Sequence, residues 1–166
     1  MSEPRTSIDH GRASAALQAL RESGQFEPVL TAIPYARLLG LRVTLIDGDP
    51  VTTMPGAEHL IGNPILRAMH GGTVGALLES AAIFKLIWEI RSIAVPKTIN
   101  ITVDYLRSAR VIDTHARAII TKHGRRVANV QVHAWQGDES KPVATAHAHF
   151  LLKALDVPQP NDADES

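Results

Sequence analysis

"RAMHGGTVGALLESAAIFKLIW", residues 67–88, reads as one long helix, running from about Gly72 to Arg91, that is apolar on nearly every side and carries a carboxylate, Glu79, in its middle. A helix of that kind has to be covered on most of its surface. The flanking segments supply the cover. Upstream, "LRVTLIDG" (41–48) and "PVTTMPGA" (50–57) read as two strands joined by a turn around Asp47, Gly48, Asp49 and Pro50, and "EHLIGNPILRAM" (58–69) as a loop leading into the helix. After Pro96 the hydrophobic period changes. "TINITVDYLRSA" (98–109) alternates, with Ile99, Ile101, Val103 and Tyr105 on one face and Thr98, Asn100, Thr102 and Asp104 on the other. "DTHARAIITKHGRRVANVQVHAWQ" (113–136) reads as a long hairpin turning at Gly124, and "KPVATAHAHFLLKAL" (141–155) as a last strand reached through the turn "GDESKP". A curved antiparallel sheet of about five to six strands can wrap one such central helix, which makes the expected architecture α+β.

The rest of the chain fits one domain. At 166 residues it is long enough for a sizeable core and too short for two ordinary domains. "RASAALQALRES" (12–23) and "FEPVLTAIPYARLLG" (26–40) have helical spacing, the second broken by Pro34 and stopped at Gly40. We therefore read residues 1–25 as a helical extension, 26–155 as the folded domain and 156–166, "DVPQPNDADES", as a disordered acidic tail. Lys plus Arg and Asp plus Glu number 17 each, so no overall field draws in nucleic acid or an anionic membrane. There is no cysteine, which removes disulfides, thiolate-bound zinc and thiol nucleophiles from consideration. The first residues lack the apolar region of a signal peptide, and no stretch reaches the ~20 apolar residues of a membrane span. A cytoplasmic protein is expected.

Glu79 is the residue that asks for an explanation. Its helical neighbours at three and four residues are Gly75, Ala76, Ala82 and Ile83, none of which can pair with it. Burying an unpaired carboxylate costs several kcal/mol, so Glu79 either reaches water from a helix face or is a base held for chemistry. "HGG" (70–72) favours the second reading. Free backbone N–H groups and the positive dipole end at a helix start can bind an oxyanion, and Gly71 and Gly72 allow close approach of a substrate. His70 and Glu79, nine residues apart, are separated by about 13.5 Å along a helix axis and half a revolution around it. They cannot serve one site in one chain. Two chains related by a twofold axis can bring the helix start of one beside the glutamate of the other, so a homodimer with two composite sites is expected, and a dimer of dimers is compatible with it.

"GNPILRAMHGGTVGALLE", followed by "INITVDYLRSAR" and "HGRRVANVQVHAW", resembles the hotdog-fold acyl-CoA thioesterases of the phenylacetate-degradation (PaaI-like) branch, over roughly residues 33–152. The resemblance implies a hotdog fold, an acyl-CoA substrate and no separate cofactor. It also implies roles. Glu79 matches the helix acid that serves as general base or nucleophile toward the thioester, Gly71 the backbone donor to the thioester oxygen, and Asn63 the upstream asparagine that helps place the water or carbonyl. Thr98 matches a hydroxyl residue at the start of the strand after the helix, although the alternation sets it on the polar face. Thioester hydrolysis needs only such a base and one oxyanion donor. Cations that could meet the phosphates of coenzyme A are Arg107 and Arg110 after one strand and Lys122, Arg125 and Arg126 around the hairpin turn; Arg107 and Arg126 are favoured.

Other features have plainer readings. His147 and His149 share a strand face, and His133 lies on a neighbouring strand, but no carboxylate stands at ligand spacing, so no metal is expected. His70 is either catalytic or a hydrogen-bonding residue that fixes the helix start. Trp88 and Trp135 read as core or interface. There is no GxSxG, GxGxxG or Walker-type loop. A hydratase or dehydratase of the same fold, or a module that only binds acyl-CoA, are the competing functions.

Overall fold

The computed structural model describes residues 10–90 and 95–152. Three short helices, α1 (His10–Ser23), α2 (Glu27–Ala32) and α3 (Pro34–Leu38), precede the hairpin of β1 (Arg42–Ile46) and β2 (Asp49–Met54). Asp47 and Gly48, both at positive φ, make its two-residue turn, the geometry that suits the twist of a tight hairpin. The segment read as a loop contains a 3-10 turn (Glu58–Leu60) and a two-stranded ribbon, β3 (Ile61–Asn63) with β4 (Ala68–Met69). Its strands are too short to show a period, which is why the sequence reads as loop there. Next comes the long helix α4 (Gly71–Ile90), then β5 (Lys97–Tyr105), β6 (Thr114–His123), β7 (Val127–Trp135) and β8 (Ala144–Leu151). Arg91 and the acidic tail lie outside the described residues.

The main sheet is antiparallel throughout and six-stranded, in the order β1-β2-β6-β7-β8-β5. Its inner face is lined by small residues: Ala116, Ala118, Ala128, Ala134, Ala144, Ala146 and Ala148 are all buried. Small side chains let the sheet curve close around α4, whose Leu77, Leu78, Phe84 and Leu86 fill the space. Each such fully buried side chain contributes about 1.5–3 kcal/mol. Leu17 and Leu20 of α1 join the same core, and Phe26 packs against Phe84 and Trp88 at ring-centroid distances of 5.9 and 5.7 Å. The N-terminal helices thus close the C-terminal half of α4.

One expectation about β5 is overturned. Thr98 does not share the outward face with Asn100. The pairing with β8 runs Thr98 to Phe150, Asn100 to His149 and Ile101 to Ala148, with a bulge at Ile99. The extra residue reverses the alternation, so Thr98 falls on the helix-facing side with Ile101 while Ile99 is exposed.

Candidate active site

The start of α4 is built by His70. Its backbone N–H donates to the Leu60 carbonyl (2.7 Å), which docks it on the 3-10 turn, and its carbonyl accepts the N–H groups of Thr73 (3.0 Å) and Val74 (3.3 Å). Its ring Nδ1 accepts the Gly72 N–H at 2.9 Å. A Cβ on Gly72 would sit 2.9 Å from that nitrogen, so only glycine leaves room for the ring. Of the N–H groups in the first turn, three are thereby satisfied. The Gly71 N–H alone has no acceptor among the described residues.

Gly71 opens on a cavity of about 500 Å³, shared with Asn63, Leu66, Val74, Tyr105 and Arg107. The Asn63 side-chain Oδ1 accepts the Leu66 N–H (2.9 Å), which turns the ribbon tip and leaves the side-chain NH₂ free to donate. Arg67, at φ 46°, completes that tip and pairs with Glu58. Arg107 donates to the Pro142 carbonyl at 2.5 Å. Helix start, Asn63 and Arg107 therefore meet at one place.

Glu79 lies eight residues further along α4, about 12 Å from Gly71 along the axis. It is half-buried, and its Oε1 accepts the Thr98 hydroxyl at 2.6 Å. The bulge at Ile99 makes this contact possible, and no feature of the alternating pattern announces it. Arg125 and Arg126 occupy the exposed tip of the β6–β7 hairpin, with the Arg126 carbonyl accepting the Leu152 N–H (2.8 Å). Since Val127 pairs with Leu151 and Leu151 with Lys97, this tip adjoins the Thr98 end of β5. Arg107 follows the other end. Glu79 with Thr98 and Gly71 with Asn63 thus form two separate groups of residues, at opposite ends of β5.

The alternating pattern presents Tyr105 only as part of an apolar face. In the fold its hydroxyl donates to the Gly71 carbonyl at 2.7 Å, and its ring lies 3.2–3.3 Å from where a Gly71 Cβ would be. Gly71 and Gly75, four residues apart on one helix face, are the signal that a ring packs there.

Other polar groups are engaged in an ion-pair network and in separate hydrogen bonds. Lys85 is buried in α4 and pairs with Asp49 and with Glu89 (2.8 Å). Burial alone lowers an ammonium pKa, but hydrogen bonds and attraction from the two carboxylates outweigh it and raise the Lys85 pKa. Arg117 reaches Asp49 (3.6 Å) and Glu139 (3.0 Å), and Glu139 also meets His133 Nε2 at 3.0 Å. His133 stacks on Trp135 (5.2 Å between centroids), while Trp88 donates to the Gly48 carbonyl at 3.1 Å. His149 Nδ1 lies 2.7 Å from Asn100 Oδ1. Among the described residues no three His, Asp or Glu side chains gather as a metal site, and no helix is long and apolar enough to cross a membrane.

A six-stranded antiparallel sheet wrapped around one long helix, whose glycine-rich start faces a cavity, defines the hotdog class of α+β proteins. Residues 62–151, more than half of the chain, match the family model of the acyl-CoA thioesterase N-terminal domain, and the chain belongs to that thioesterase family. A protein from Chromobacterium violaceum of known structure is 38% identical over 84% of this chain and 98% of its own, with a TM-score of 0.69. A phenylacetic acid degradation-related protein from Ralstonia eutropha is 27% identical over 72% of this chain and 91% of its own, with a TM-score of 0.64. The phenylacetic acid degradation protein PaaI from Thermus thermophilus shares the fold at 24% identity, covering 73% of this chain and all of its own, with a TM-score of 0.61. The search of curated proteins finds no match.

Proposed function

We propose that this protein is a cytoplasmic, homodimeric acyl-CoA thioesterase in which Glu79 of one protomer and the Gly71 N–H of its partner act on the same thioester. The observation that carries this reading is the position of the two half-sites on an edge strand. Among the described residues β5, nine residues long, pairs with β8 alone and no strand pairs with its other edge. An antiparallel pair of β5 strands centred on Thr102, with the bulged Ile99 and Thr98 counted as one position, sets Thr98 of one copy opposite Tyr105 of the other, both on the helix-facing side. That pairing brings each Glu79–Thr98 half to the partner's Gly71–Asn63 half. It also brings the Arg125–Arg126 tip of one copy to the end where the partner's Arg107 lies, so the cations proposed for the CoA phosphates converge instead of lying a strand length apart. The free Gly71 N–H supports it as the oxyanion donor. Gly72, whose N–H is taken, contributes through its lack of a side chain.

In this scheme Glu79 acts as general base or nucleophile. In the base version it takes a proton from water as the oxygen attacks the thioester carbon, Thr98 holds the carboxylate and the Gly71 N–H holds the developing oxyanion. The C–S bond then breaks, and the CoA sulfur leaves with a proton. His70 spends Nδ1 on shaping the donor, which supports hydrolysis over the hydratase alternative.

The test is thiol release from a panel of aliphatic and aromatic acyl-CoAs by the wild type and by Glu79→Gln. We expect turnover by the wild type and a loss of about 10² or more in the variant, with dimer mass and circular dichroism unchanged. Turnover by the variant near that of the wild type overturns the mechanism. Binding without thiol release by the wild type identifies a non-catalytic module, and water addition to an enoyl-CoA identifies a hydratase.

A further inference from the structure

We propose that Tyr105 is a positioning residue for the reaction: its hydroxyl fixes the peptide unit that carries the helix start, and so holds the Gly71 N–H in its working direction. The proposal rests on the reading of Gly71 as the oxyanion donor.

Two adjacent glycines are a weak way to begin a helix, because each has more backbone freedom to lose than any other residue. The donor's own peptide is anchored at its His70 carbonyl by the Thr73 and Val74 N–H groups and the Thr73 hydroxyl (2.7 Å), and its direction still depends on the Gly71 dihedrals that follow. The peptide joining Gly71 to Gly72 is held at both ends. Its C=O accepts the Tyr105 hydroxyl at 2.7 Å, and its N–H donates to His70 Nδ1 at 2.9 Å. The carbonyl has two lone pairs, so it can take the phenol as well as its helical partner. With that plane fixed, the Gly71 N–H is separated from it by one Cα alone. The ring contributes too. Its atoms lie 3.2–3.3 Å from the Gly71 Cβ position, closer than a side chain there would sit without displacing the ring, and its oxygen 3.5 Å from that of Gly75, an ordinary van der Waals contact, so the tyrosine is seated in a notch that Gly71 leaves.

The hydroxyl comes from the last residue of β5, and its length is what the contact requires. A phenylalanine would fill the notch and leave the carbonyl without its second donor. The clamp also ties the donor to the strand that the proposed dimer uses. Pre-organised donors owe their effect to needing no reorganisation as charge develops, and a donor allowed to swing loses part of it.

The test uses Tyr105→Phe in the full-length protein with two readouts. The first is kinetic: we expect kcat on the best acyl-CoA to fall roughly 3- to 10-fold, below the 10²-fold or greater cost of deleting a donor outright, with KM changed by less than about 2-fold. The second is exchange of the Gly72 amide hydrogen, followed by NMR, expected to quicken about fivefold or more as the clamp loosens. A merely structural role would lower thermal stability and leave kcat untouched. Unchanged kcat in an active enzyme overturns the proposal whatever the Gly72 exchange does, as does unchanged exchange or a rise in KM alone. Failure of the functional reading has a different signature: no thiol release by the wild type, or full activity in Glu79→Gln. The exchange measurement then decides the clamp by itself, unchanged protection in Tyr105→Phe overturning it.

Discussion

At the scale of single residues, a hydroxyl fixes how Glu79 is held. A glutamate on a helix face that only reached water would have no fixed partner, whereas Glu79 is half-buried and takes a 2.6 Å hydrogen bond from Thr98. Bonds to a charged acceptor are worth about 1.5–3 kcal/mol, enough to fix the carboxylate in one orientation. Thr98→Val keeps the shape and removes the donor. We expect it to lower kcat on acyl-CoA by about tenfold, the equivalent of 1.4 kcal/mol, while Thr98→Ser retains most of the activity. Steady-state kinetics on the three proteins checks this, and equal activity of the Val and Ser variants would remove the hydroxyl from the mechanism. Chemistry and spacing single out Glu79 and Gly71 as candidates in the sequence. The alternation places Thr98 on the wrong face, because a β-bulge is a property of the pairing with β8 that leaves no mark on the pattern of apolar and polar residues.

Among the elements, α4 shows how a run that reads as apolar tolerates a buried cation. Lys85 sits in the core-facing half of the helix and extends to Asp49 at the start of β2, with Glu89 one turn on. This joins the turn of the first hairpin to the end of the helix, alongside the Trp88 bond to Gly48. Lys85→Met fills the space but leaves Asp49 and Glu89 without their ammonium. Both carboxylates keep some solvent, so the expected cost is about 1–3 kcal/mol, below that of breaking a fully buried pair. The pH dependence has a definite sign. The folded pKa of Lys85 is raised above 10.5, so its contribution is complete below that pH and is lost as pH rises through the folded value. Denaturant unfolding should therefore show the gap between wild type and Lys85→Met narrowing in strongly alkaline buffer; a gap that widens there would exclude the ion pairs as its cause. The long elements are legible because their periods are long. α4, the β1–β2 hairpin and the three strands after β5 appear where the patterning puts them, and Pro34 divides α2 from α3 as its chemistry requires. The β3–β4 ribbon and the Lys85 network are not legible, the first because it is two or three residues wide, the second because Lys85 and Asp49 meet only after folding.

For the whole molecule, the edge of β5 that no strand covers among the described residues is a feature that one chain leaves unexplained. A nine-residue edge strand with Ile99 and Tyr105 more than half exposed is a template for pairing, and soluble proteins cover or use such edges. If β5 pairs with its own copy, Glu79 and the partner's Gly71 make one site and neither chain is active alone. The decisive experiment mixes two inactive chains. One is Glu79→Gln. The other is Gly71→Pro, which removes the N–H at the first position of α4, where proline is favoured in helices. The proline ring must displace Tyr105 slightly, since a Cβ there already approaches the ring to 3.2 Å, so the folding of this chain is to be verified by dimer mass and circular dichroism. In a heterodimer one site combines both lesions, and the other combines an intact Glu79 with an intact Gly71. Random exchange of equal amounts makes half the dimers mixed, each with one working site, so activity should recover to about a quarter of wild type. The parent homodimers, assayed separately, should stay inactive. Recovery at that level requires that base and donor come from different protomers. No recovery, in a mixture shown by mass spectrometry to contain folded heterodimers, would mean that both groups act within one chain or that the Gly71 N–H is not the donor.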